Sequence, residues 1–253
     1  MEFKRIRMAE GEISYLELGT GPDLLFLHGA VTTAEAYIPL LLLLSKTYHV
    51  LAPTHPGHGD AFPIPRDWKL VDFIRFYQDL FIELNFSPEI CIGHSFGGTL
   101  TLLLAAEGTG NHVVAMDAPG LPFTFDVNEY AGALMKEARE ALNKRRNVQG
   151  FLEASKVAST LVHTVVRHPN SISLFTKQGP KFNIYHELQK ITIPVDLLWG
   201  ERDRVVPLEI AEKMKKFIPH VYLTVFPNFG HNYPVTDPEF TYREIMKVIG
   251  DKR

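Results

Sequence analysis

The chain has 253 residues, 45% of them hydrophobic and 22% charged, the balance of an ordinary globular protein, which excludes a disordered or fibrous chain. Its 26 basic and 29 acidic residues give a formal charge of -3, too even for a dedicated nucleic-acid binder or a polyanionic tail. The single cysteine, Cys91, excludes an intrachain disulfide, a cysteine-based zinc site and a Cys-x-x-Cys redox pair, and fits a reducing, cytoplasmic setting.

The N-terminus starts with charged residues, and Met8-Ala9-Glu10-Gly11-Glu12 follows where a secretory signal would need an apolar stretch. Leu24 to Leu27, His49 to Ala52 and Ile90 to Ile92 are short, apolar and followed by Gly or Pro, as expected of parallel strands buried on both faces. Between them, residues 33 to 46, 67 to 84 and 96 to 107 carry apolar side chains at three- and four-residue spacing and predict helices. The first of these contains the run Leu40 to Leu44, which is far short of the roughly 20 residues that span a bilayer and reads as a buried helix face. No membrane insertion is expected.

From 121 to 186 the alternation stops. Asp126 to Glu129 reads as a helix cap, Tyr130, Leu134, Ala138 and Ala141 follow at helical spacing, and a second amphipathic run from Phe151 to Val166 ends at His168-Pro169. A structureless connection of that length would be unusual, so this stretch is expected to be a helical insertion, with 1–120 and 187–253 forming the core domain. Strands return near 194 to 199 and 221 to 226, with a helix near 208 to 217. Thr236-Asp237-Pro238-Glu239 reads as a capping box opening the last helix. Strand and helix alternating in this way imply α/β architecture, a mostly parallel sheet with helices on both faces.

Gly93-His94-Ser95-Phe96-Gly97 lies between the strand ending at Ile92 and the helix that follows. A small residue two positions to either side of a serine is what a very tight strand-to-helix turn requires, because a larger side chain would strike the backbone. Ser95 is therefore a candidate nucleophile, although a serine there could also serve as a plain helix N-cap. The turn would aim the backbone N–H of Phe96, at the positive helix end, at an oxyanion formed beside the serine. Of the other polar clusters, His55, His58 and Asp60 lie in a Pro- and Gly-rich loop without a recognisable set of metal ligands, so no metal is expected. His28 and His94 read as structural or pocket-lining, and His163 and His168 as surface residues of the insertion.

Here the sequence resembles the α/β-hydrolase superfamily over nearly its whole length. His28-Gly29-Ala30 is similar to that family's oxyanion loop and Pro56-Gly57-His58-Gly59 to the loop after its next strand. Trp199 to Pro207 is similar to the segment that supplies its acid, and Phe229-Gly230-His231 to the one that supplies its histidine. The resemblance implies an α/β-hydrolase fold with a helical cap at 121–186 and the chain order Ser95, Asp203, His231 for nucleophile, acid and base. It also implies Ala30 as the second oxyanion donor beside Phe96, with Val31 as the alternative. Asp117, at another strand end, is a rival acid, but the fuller motif surrounds Asp203.

The activity implied is cofactor-independent hydrolysis of a small carboxylic ester or thioester with an apolar acyl or alcohol group. Phe125, Tyr130 and Leu134 of the cap would meet that group. Carbon–carbon bond hydrolysis or aminopeptidase activity by the same triad is a second reading. A non-catalytic ligand receptor or scaffold on this fold is a third.

Overall fold

The computed structural model describes residues 2–124 and 166–250. Two strands that the sequence does not announce, β1 (Lys4–Arg7) and β2 (Glu12–Leu18), open the chain. They escape hydrophobic pattern reading because β1 is an edge strand of charged, exposed residues, paired to β2 through Lys4–Glu17 at 2.6 Å and Arg5–Glu12 at 2.8 Å. The expected strands follow as β3 (Asp23–Leu27), β4 (His49–Pro53), β5 (Ile90–His94), β7 (Val195–Gly200) and β8 (Val221–Phe226), with β6 (His112–Met116), for which the sequence reading gives no bounds, between β5 and β7. They form one sheet in the order β1-β2-β4-β3-β5-β6-β7-β8. It is parallel from β4 to β8, with β1 and β2 added antiparallel.

Because side chains alternate along each strand, the sheet has a separate apolar core on each face. Leu25, Leu27, Cys91, Val113, Ala115 and Leu197 point to one side, where α2 (Leu70–Leu84), α3 (Phe96–Ala106) and α6 (Leu208–Met214) cover them. Leu24, Phe26, Ile90, Ile92, Val114 and Leu198 point to the other, beneath α1 (Ile38–Leu44) and α8 (Pro238–Gly250). The remaining helices are short: α4 (Pro169–Ser173), α5 (Tyr185–Leu188) and α7 (Tyr233–Thr236). Helix α2 shows why the periodicity was readable. It buries Phe73, Ile74, Tyr77, Leu80 and Phe81 on one stripe, begins where Asp72 accepts the Lys69 backbone N–H at 2.8 Å, and ends at Asn85 in the left-handed conformation. A Phe, Leu or Ile side chain fully removed from water contributes about 1.5–3 kcal/mol of transfer free energy.

Boundaries differ from expectation in two instructive places. The helix expected over 33 to 46 divides into a 3-10 turn, Ala34–Tyr37, and α1, whose second residue is Pro39. The last helix is capped one residue later than the capping box implies. Asp237 Oδ1 accepts the Phe240 N–H at 3.2 Å, while Thr236 ends α7 and donates back to the Asn232 carbonyl at 3.1 Å.

Most of the expected insertion, including Phe125, Tyr130, Leu134 and His163, lies outside the described residues. Its described end carries α4, a π-helical turn at Leu174–Gln178, and the approach to α5. His168 is buried rather than on the surface, because its Nε2 donates to the Gly59 carbonyl at 2.9 Å. No described helix is long and apolar enough to cross a membrane.

Candidate active site

In a parallel sheet the carboxyl ends of the strands share one edge, and the loops leaving them converge there. Ser95 follows β5, Asp203 follows β7 and His231 follows β8. Ser95 has φ 52° and ψ -119°, a conformation a side chain reaches only under strain, held here by packing on both flanks. A Cβ at Gly93 would lie 2.3 Å from the Gly97 carbonyl oxygen, and one at Gly97 would lie 2.1 Å from that of Leu27. Only glycine fits at either position. Ser95 N–H donates to the Met116 carbonyl at 2.8 Å, so the turn is tied to the neighbouring strand. The half-buried serine stands at the N-terminus of α3, whose first backbone N–H belongs to Phe96.

Asp203 and His231 form a buried pair, with His231 Nδ1 and Asp203 Oδ2 at 2.7 Å. Since a carboxylate only accepts, Nδ1 carries a proton, and in the neutral imidazole Nε2 then presents its lone pair. The other carboxylate oxygen accepts the backbone N–H groups of Val205 at 2.7 Å and Val206 at 2.9 Å. Asp203 therefore shapes its own turn and holds the imidazole of His231 at the same time. The two loops are also joined through Arg202 N–H, which donates to the Phe229 carbonyl at 2.9 Å.

Asp117 is buried as well, with a φ of 47°. Its Oδ1 accepts the Gly200 N–H at 2.9 Å, so it braces the end of β7 across strands. Its carboxylate comes within 4.8 Å of ring nitrogens of His94 and His231, the one grouping among the described residues spaced like metal ligands. Both nitrogens of His94 already have protein partners and His231 Nδ1 is held by Asp203, so these ring nitrogens are engaged within the protein.

The oxyanion-loop candidates sit on a framework of neutral histidines. His28 Nδ1 donates to the Gly29 carbonyl at 2.8 Å and its Nε2 accepts the His55 N–H at 2.9 Å. His55 Nε2 returns a hydrogen bond to the His28 carbonyl at 2.7 Å, and the Tyr77 hydroxyl donates to His55 Nδ1. Burial first, then the nearby imidazoles, hold His28 and His55 well below the usual histidine range, and burial brings His58 to about 4. Asp60, the third member of the metal candidate, instead accepts from Ser14 at 2.8 Å and Arg5 at 2.6 Å. Ala30 is half-buried in this loop and Val31 next to it takes a left-handed φ of 55°.

Sequence reading missed the tie between the loops after β3 and β4, and it missed Phe175. That ring packs with its centroid 4.6 Å from that of Phe96 and 5.3 Å from that of His58, bringing the described end of the expected insertion against the turn at Ser95. Aromatic residues at helical spacing were the available signal, but nothing local distinguishes Phe175 from a core residue.

The sequence profile described as "Alpha/beta hydrolase family" matches residues 24–244. The chain is 29% identical over 245 residues to the (E)-2-((N-methylformamido)methylene)succinate hydrolase of Acinetobacter baylyi, covering 89% of each chain. It is 28% identical over 238 residues to the magnesium-chelatase 30 kDa subunit of Rhodobacter capsulatus, covering 84% of this chain and 83% of that one. Among solved structures, a serine hydrolase involved in carbazole degradation superposes with a TM-score of 0.80 at 22% identity, over 98% of this chain and 99% of that one.

Proposed function

The chain belongs to the alpha/beta hydrolase family, and from that premise we propose that it is a serine hydrolase that cleaves small carboxylic esters or thioesters through an acyl-enzyme. The observation that carries this reading is the 2.7 Å contact between His231 Nδ1 and Asp203, which leaves His231 Nε2 as the base, on the same sheet edge as the strained turn at Ser95. Ser95 Oγ attacks the carbonyl carbon and gives its proton to His231 Nε2. Asp203 stabilises the imidazolium, and the oxyanion is received by the backbone N–H groups of Phe96 and Ala30. Collapse of the tetrahedral species expels the alcohol or thiol, which takes the proton from His231, and water then attacks the acyl-enzyme by the same route in reverse. No step needs a cofactor.

Substrate choice falls to the cap over 121–186. Phe125, Tyr130 and Leu134 supply the apolar surface, which favours a modest apolar acyl or alcohol group, and the packing of Phe175 on Phe96 supports placing that segment over the serine. The activity in the name of the Acinetobacter relative favours one further substrate class, a substituted methylenesuccinate. The similarity to a magnesium-chelatase subunit keeps a non-catalytic role as the alternative to be tested.

The test is a panel of aryl esters graded by acyl length, a thioester, a methylenesuccinate, an aminoacyl amide and a vinylogous diketone, assayed with wild type and Ser95→Ala. Ester or thioester turnover that falls by about a thousandfold or more in Ser95→Ala is expected. Turnover confined to the diketone or the amide, or unchanged in Ser95→Ala, would overturn the reading, and tight binding without turnover would move the protein to the non-catalytic class.

A further inference from the structure

One buried chain of hydrogen bonds runs across the site through a tyrosine and a histidine that the acyl-transfer steps do not use. The Gly29 N–H donates to the Tyr37 hydroxyl at 3.1 Å, and Tyr37 Oη lies 2.6 Å from His94 Nδ1. His94 Nε2 lies 2.8 Å from the carbonyl oxygen of His231. Tyr37 is 1% exposed and His94 2% exposed.

The directions follow from donor and acceptor chemistry together with burial. A carbonyl only accepts, so His94 Nε2 carries the proton. A buried imidazole flanked by another imidazole stays neutral, so Nδ1 is bare and Tyr37 donates to it. The Tyr37 oxygen then has a lone pair for the Gly29 N–H. Every hydrogen bond is made in one sense, and no member can rotate without leaving a buried polar group unpaired.

The chain has three anchors, and each belongs to a different part of the site. Gly29 immediately precedes Ala30, His94 immediately precedes Ser95, and the third anchor is the backbone of His231 itself. Contact geometry supports the same joint: a Cβ at Gly29 would meet Tyr37 Oη at 3.1 Å, His94 Nδ1 at 3.2 Å and Ser95 Cβ at 3.5 Å. The His94 and His231 rings also pack at a centroid distance of 4.8 Å. The three loops leave different strands, β3, β5 and β8, and among the described residues no strand pairing ties β8 directly to β3 or β5.

We propose that Tyr37 and His94 are positioning residues that hold the oxyanion loop, the nucleophile turn and the backbone of the catalytic histidine in one fixed geometry. This rests on the serine-hydrolase reading above. Their effect is expected where charge develops on the oxyanion, since a small displacement of a preorganised donor costs transition-state stabilisation and leaves ground-state binding nearly intact.

The experiment compares wild type, Tyr37→Phe, His94→Gln and His94→Leu as full chains. Active sites are counted by phosphonate labelling, so that unfolded enzyme does not enter the rates. Three quantities are read per active site: kcat and KM on the best ester, the inhibition constant of a trifluoromethyl ketone that forms a tetrahedral oxyanion adduct, and that of the corresponding alcohol, which cannot. Tyr37→Phe is expected to lower kcat about tenfold or more and to weaken the ketone by a similar factor. KM and the alcohol should stay within about twofold. His94→Gln can donate to His231 and accept from Tyr37, so it should retain more ketone affinity than His94→Leu; that pair carries the same comparison if Tyr37→Phe does not fold.

Ketone affinity and kcat unchanged within twofold would overturn the inference, as would equal weakening of ketone and alcohol. If wild type is not labelled at Ser95, the serine-hydrolase reading falls and takes this inference with it. Labelled wild type with an unaffected Tyr37→Phe overturns the inference alone.

Discussion

Histidines at the two ends of the sheet live in opposite electrostatic worlds. At the carboxyl ends, His28, His55, His58 and His94 are buried among backbone carbonyls, hydroxyls and one another, and burial drives each well below the usual histidine range. At the amino ends, His49 lies 2.7 Å from Asp23 and 2.9 Å from Glu17, partly open to solvent, and its hydrogen bond to Asp23 raises it. The same side chain is a fixed neutral joint in one place and a cationic clamp in the other. What separates them is the partner: a neutral imidazole pairs one donor with one acceptor, and two carboxylates demand two donors. The end with neutral joints is the end where the candidate nucleophile sits, and such joints hold loops without adding charge beside it.

The acids beside His231 offer the sharpest way to break this picture. Asp203 orients His231 directly, whereas Asp117 braces the β7 end through Gly200. Asp203→Asn is expected to lower kcat by about a hundredfold or more, because the wrong tautomer and the lost charge partner both act on the base. Asp117→Asn should stay within about tenfold, since an amide oxygen can still accept the Gly200 N–H. One good ester, with folding followed by circular dichroism, gives the comparison, and the reverse ranking would move the acid to residue 117.

Stability against pH tests the contrast between the histidines themselves. For the buried set the native pKa lies below the unfolded value near 6.5, so below that pH the unfolded chain binds protons the native state refuses. Their contribution is full above about 6.5 and is lost as pH falls, for His58 down to about 4, with a limiting slope of about 1.4 kcal/mol per pH unit for each histidine. His49 has the opposite sign: its raised native pKa adds stability below about 6.5 that disappears as pH rises through the native value. The buried residues outnumber it, so urea midpoints should fall clearly from pH 7 to pH 5. A flat profile would contradict the neutral framework. Two variants separate the ends. Tyr77→Phe strips the donor from buried His55 and should cost about 1–3 kcal/mol, whereas His49→Gln, at a partly exposed ion pair, should cost less than about 1 kcal/mol and mostly below pH 6.5.

Local pattern made much of this molecule legible. Ile90 to Ile92 punctuated by Gly93 marks β5, and the spacing of Phe73, Ile74, Tyr77 and Leu80 marks α2, because burial on two faces and on one stripe write different periods. Ser95 was legible for the same reason, since its strain needs Gly93 and Gly97 beside it. The edge hairpin of β1 and β2 was not, because charges that guard an edge erase the apolar signal. Neither was the wiring of the site. His55 meets His28 across 27 residues and His94 meets Tyr37 across 57, and no local spacing encodes a partner that only the sheet order brings near. Asp203 and His231 came from resemblance to known segments, not from periodicity.

The measurement that tests the central claim most directly is the site of covalent labelling by a fluorophosphonate, read by mass spectrometry on the intact protein and its peptides. Label on Ser95 alone is expected in wild type, formed at least about a hundredfold more slowly in His231→Ala, which lacks the proposed base for the serine proton. Label on another residue, no label on an enzyme that hydrolyses esters, or equal rates in the two proteins would contradict the assignment of Ser95 as the nucleophile and His231 as its base.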